Sequence, residues 1–154
     1  MLVALALALS YFERFIPIEA ILPLPGVKLG LANIVTLVAL CFYDIKTALV
    51  IVLARCALGG LISGSLTALI MSTCGGLLSC LSMGCAKRFF SVYGTSVIGA
   101  AAFNIAQVCV AAVMLKSAYA FYYLSFLLLT ALFSVMLTAL AASGAIRALA
   151  VIND

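Results

Sequence analysis

Residues Ser65–Ala86 read SLTALIMSTCGGLLSCLSMGCA and stop at Lys87-Arg88. No charged side chain interrupts the stretch, and about 20 mostly apolar residues make a helix long enough to cross a hydrocarbon core. Within it Ser72, Gly76, Cys80 and Gly84 recur at every fourth position, a small-x-x-x-small ridge that lets another helix backbone approach closely. Two roles for that ridge are open: packing inside a bundle, or docking a second membrane subunit. Either way the stretch predicts an all-α integral membrane protein.

Composition extends this reading to the whole chain. Of the 154 residues, 68% are hydrophobic and 8% charged, against roughly 25% charged in ordinary soluble domains. Four acids and eight bases are too few to coat a soluble fold of this size, so lipid is the solvent for most of the surface. At roughly 20 residues per crossing plus short loops, the length predicts a bundle of about six transmembrane helices in one domain spanning 1–154.

The runs around Ser65–Ala86 fill in that count. A first helix is expected from Leu2 to Phe12, with a possible extension to Ile16, and a second from Val27 or Leu31 to Tyr43. Asp44 and Lys46 mark a polar turn, and a third helix covers Thr47 to Ile62 before Gly59, Gly60 and Gly64 turn the chain. A fifth runs from Thr95 to Leu115. Tyr119, Phe121, Tyr122 and Tyr123 form an aromatic belt opening a sixth that reaches Ala148. Between the first two helices lies PIEAILPLPGVKLG, where Pro17, Pro23 and Pro25 break regular helix and Gly26 and Gly30 add freedom. It suits a loop dipping toward the bilayer or an interfacial connector. The segment from Met1 lacks a basic n-region and a small-residue cleavage site, so it reads as a mature helix and not a signal peptide.

Charge placement bears on orientation and partners. With six helices, Lys46, Lys87, Arg88 and Arg147 share the face of the termini, and Arg14, Lys28 and Lys116 fall on the other. Four bases against three favour cytoplasmic termini in a multi-pass cell-membrane protein. The net charge of +4 comes from scattered bases without interleaved aromatics, which argues against nucleic-acid binding.

Polar groups inside a bilayer are expensive, and each is a functional candidate by default. Arg55 stands in LVIVLARCALGG; it can bind an anionic group, pair with Glu13, Glu19 or Asp44, or snorkel to the interface. Asn33 lies in KLGLAN, and Asn104 and Gln107 share one helix face within FNIAQ. Amides at that spacing line a pocket or join helices by hydrogen bonds. Glu13-Arg14 suits a cap at the interface, and Lys116 an interfacial anchor.

Several chemistries are disfavoured. The only aspartates are Asp44 and Asp154, too few for the clustered aspartates that hold magnesium in prenyltransferase-type enzymes. There is no histidine to serve as a base, and no G-x-x-x-x-G-K-[ST] loop. Cys41, Cys56, Cys74, Cys80, Cys85 and Cys109 form no C-x-x-C pair and read as buried small residues. No catalytic residues, cofactor or metal site are expected.

The pattern YFERFIP followed by LPGVKLGLANIVTL, between Tyr11 and Leu37, resembles the Gx transporter family. That family is also catalogued as heptaprenyl diphosphate synthase component I and is related to substrate-binding S components of energy-coupling factor (ECF) transporters. LARCALGGLISGS and AAFNIAQV are similar to later blocks of it. The resemblance implies a six-helix, S-component-like bundle whose loop after the first helix closes over a pocket open to the outside. The pocket would be walled by the loop from Glu19 to Lys28, with Asn33, Arg55, Asn104 and Gln107 as substrate-binding candidates. An Ala-x-x-x-Ala face on the first helix, matched by Ala4 and Ala8, would contact a transmembrane coupling subunit that in turn contacts two ATPase subunits. One departure stands out: Phe103 occupies the place before Asn104 where the family pattern is expected to have histidine. The rival reading is a non-catalytic membrane subunit of a polyprenyl diphosphate synthase.

Overall fold

The computed structural model describes residues 1–13 and 31–115, and among them every regular element is an α-helix. They are α1 (Leu2–Phe12), α2 (Asn33–Phe42), α3 (Ile45–Ser63), α4 (Leu66–Ala86) and α5 (Val92–Leu115). These are the first five expected helices. The sixth, with its aromatic belt, and the proline-rich segment carrying Glu19 and Lys28 lie outside the described residues.

Local chemistry sets the helix ends. Tyr43 and Asp44 are extended, and Asp44 is the N-cap of α3. The third helix therefore begins at Ile45, ahead of the expected Thr47, and Lys46 lies in its first turn instead of in a polar turn. At the far end Gly59 and Gly60 stay helical, contrary to expectation, and Gly64 alone turns the chain. Its φ of 62° is left-handed, and its N–H closes on the Gly60 carbonyl at 3.0 Å, the arrangement for which glycine is favoured. Ser65 then caps α4 by accepting the Ala68 N–H at 3.3 Å. The Ser91 carbonyl accepts the Thr95 N–H at 2.9 Å, which starts α5 at Val92 instead of Thr95.

Three of the helices, α3, α4 and α5, are long and apolar enough to cross a membrane; α1 and α2 are shorter apolar helices. Fewer than half the residues in each long span are buried, and the outward surface is hydrocarbon, as at Val50, Leu53 and Leu61, the last 79% exposed. Such a surface is stable only against lipid.

Helix α4 packs most extensively on α5 and next on α3, while α2 contacts all four other helices. The core therefore gathers Val35, Leu37, Ala39 and Leu40 of α2 against Ala48, Ile51 and Val52 of α3, Met83 of α4 and Ala6 of α1. The ridge on α4 faces inward to α3. The Cys56 thiol donates to the Ser72 carbonyl at 3.3 Å. A Cβ on Gly76 would meet Val52 Cγ1 at 2.8 Å and Arg55 Nη2 at 3.0 Å, and one on Gly84 would meet Ile45 Cδ1 at 2.5 Å. Of the two open roles, internal packing is the one this face performs. The cysteines depart from expectation: Cys56 and Cys80 are buried, but Cys41, Cys74, Cys85 and Cys109 are exposed. A thiol is apolar enough to face lipid.

Candidate functional site

Arg55 lies in the middle of α3, two turns before Ser63, and points at α4. It is 3% exposed, and its Nη2 packs over the bare backbone of Gly76. That position fits close helix contact and does not fit snorkelling, which would carry the head group to water. Nε and Nη2 are buried with no hydrogen-bond partner among the described residues. Asp44 is eleven residues away on the same helix, roughly 16 Å along the axis, too far to pair.

The opposite side of the same α4 turn receives α5. A Cβ on Gly75 would lie 2.8 Å from Phe103 Cε2, so this glycine makes room for the ring. Phe103 is only 1% exposed and is a packing residue between α4 and α5. Asn104 follows it in sequence, and both Asn104 and Gln107 are buried, Gln107 completely, and engaged with partners. Because Gly76 faces Arg55 and the adjacent Gly75 faces Phe103, Arg55 and Asn104 lie at about the same depth, with Gln107 about one turn further along α5. Polar side chains from α3 and α5 thus come to neighbouring levels near the middle of a core about 30 Å thick.

Asn33 opens α2 and is buried with neither amide atom hydrogen-bonded among the described residues. Thr36, three residues on, has a buried hydroxyl in the same condition, as have Ser79 and Ser96. Sequence reading passed over these three hydroxyls. The spacing of Asn33 and Thr36 was the available signal, while Ser79 and Ser96 carried none, since single hydroxyls are common in membrane helices. Glu13, at the C-cap of α1, is buried too and has a partner.

Ala4 and Ala8 are exposed on the side of α1 away from Ala6, which is in the core. Among the described residues, no group of three or more His, Cys, Asp or Glu side chains is placed to hold a metal ion.

The fold and these buried polar side chains define a class: a helical membrane protein with polar groups, Arg55 and Asn33 among them, that have no hydrogen-bond partner among the described residues. Comparison with protein families narrows it, because residues 2–145 match the family described as heptaprenyl diphosphate synthase component I. The chain belongs to that family, the one its sequence resembles. No curated protein and no solved structure gives a significant match.

Proposed function

We propose that the chain is the substrate-binding membrane subunit of an ECF-type importer, an S-component-like bundle completed by a sixth helix between Tyr119 and Ala148. Its termini are cytoplasmic in the cell membrane, and separately encoded coupling and ATPase subunits energise it. The observation that carries this reading is Arg55. A guanidinium buried among helices with two nitrogens unpartnered among the described residues is the kind of group an anionic or strongly accepting ligand would satisfy. Asn33, Asn104 and Gln107 would supply further polar lining, and Glu19 and Lys28 the closing loop. A mostly apolar pocket with a few placed polar groups suits a small organic substrate. The exposed Ala4 and Ala8 would receive the coupling subunit.

The test is native mass spectrometry of the purified protein beside its Arg55→Gln variant. A small molecule should co-purify with the wild type. Loss of hydrogen bonds to a charged donor, roughly 1.5–3 kcal/mol, should weaken it about ten- to hundredfold in the variant, with thermal stability in detergent retained. A variant that keeps the molecule removes Arg55 from the site. One that instead melts early, and is rescued by neutralising an acid, makes the arginine structural.

The family description favours a second reading, a non-catalytic membrane subunit of a heptaprenyl diphosphate synthase. Affinity purification from native membranes separates the two. Coupling and ATPase subunits support the first reading, and a prenyl synthase catalytic subunit supports the second.

A further inference from the structure

The end of the bundle opposite Gly64 carries the turns at Tyr43–Asp44 and Lys87–Ser91. Phe42, Tyr43, Phe89, Phe90 and Tyr93 are all exposed around these turns, Phe89 at 83%. Rings that crowd one end of a membrane bundle mark the depth of the lipid head groups. At this level α2, the end of α4 and the first turn of α5 enclose an open cleft of about 340 Å³.

The cleft is amphipathic in the direction of the bilayer normal. Leu37, Leu40 and Val92 form its inner wall, while Lys87 and Arg88 stand at its mouth. Lys87 is held in place, because its Nζ donates to the Leu40 carbonyl at 3.0 Å, and an ammonium keeps two further N–H groups for a ligand. Arg88 is exposed. The N-terminus of α5 adds partial positive charge. Thr95 lines the cleft from inside, roughly 6 Å deeper than Ser91 by helical rise. It is buried, and its hydroxyl has no hydrogen-bond partner among the described residues. Among the described residues no acidic side chain lines this cleft. A second cleft of about 480 Å³ shares Lys87 and Arg88 but takes in Asp44, and with it an internal counter-charge.

We propose that the Leu37–Thr95 cleft binds the phosphate end of an anionic glycerophospholipid. Lys87 and Arg88 take the phosphate, Thr95 stands at the depth of the glycerol esters, and the leucines and Val92 receive the start of an acyl chain. Free phosphate would leave the apolar inner wall without a partner. A zwitterionic lipid would set its own positive head group against two bases. None of Asn33, Arg55, Asn104 and Gln107 lines this cleft, and the assignment does not depend on the transport reading.

Native mass spectrometry of the detergent-solubilised protein tests it, with phosphatidylglycerol and phosphatidylcholine of identical chains as probes. Phosphatidylglycerol should bind several-fold more tightly. Arg88→Gln should cut that preference about fivefold, the usual contribution of one base near a charged lipid surface, with unchanged melting because the side chain is exposed. Lys87→Arg should preserve the preference, and excess inorganic phosphate should leave the lipid bound. Equal binding of the two lipids, an undiminished preference in Arg88→Gln, or displacement of the lipid by phosphate would each overturn the assignment.

Discussion

A guanidinium at the centre of a bilayer costs roughly 2.5–3.5 kcal/mol on insertion scales, and Arg55 is accommodated only because its neighbour on α4 has no side chain. Two glycines allow that packing cost to be separated from backbone strain. In Gly76→Ala the new methyl would lie 2.8 Å from Val52 Cγ1 and 3.0 Å from Arg55 Nη2, so overpacking should destabilise the fold by about 1–3 kcal/mol. In Gly64→Ala nothing lies within 4 Å, and the cost is that of a left-handed residue with a Cβ, about 1–2 kcal/mol. Thermal melting in one detergent, repeated with Val52→Ala added, checks the mechanism. The second mutation should recover stability for Gly76→Ala and give nothing back to Gly64→Ala. Arg55 itself was legible in the sequence as a lone charge in an apolar run. Its partners were not, because the choice among ligand, acid and water depends on which helix covers it.

Helices expose the same division between composition and context. Ala4 and Ala8 on α1, and Ser72, Gly76, Cys80 and Gly84 on α4, have the same spacing, and close helix approach is possible at both. In the structure the α4 ridge is covered by α3, whereas the α1 alanines remain exposed. Ala4→Leu combined with Ala8→Leu should therefore leave melting within about 0.5 kcal/mol of wild type. Under the transport reading it should also abolish co-purification of the coupling subunit. A destabilised double mutant would mean that this face packs within the chain. Helix starts were harder to read than helix existence. Asp44 and Ser91 begin α3 and α5 earlier than the apolar pattern suggests, since a cap acts through backbone geometry, which hydrophobicity does not encode.

Across the whole molecule, the alternation of α1 to α5 sends the Gly64 and Lys87 ends to opposite membrane faces. With cytoplasmic termini, Lys87 lies inside and the loop holding Glu19 outside. Single cysteines replacing Glu19 and Lys87 in a cysteine-free background should then react with an impermeant maleimide from opposite sides. Labelling of both from the same side would sink this topology. The sequence by itself determined the solvent, the helical class and the residues with chemistry to contribute. Counts of charged and apolar side chains and the length of uninterrupted runs fix those whatever the fold. Only the tertiary structure decided that one small-residue ridge is filled and the other open, that Gly75 and Gly76 admit Phe103 on one side and Arg55 on the other, and that Lys87 and Thr95 share a cleft. A side chain's periodicity records that it lies on a face; what covers that face is set by helices distant in sequence, through packing that no local pattern carries.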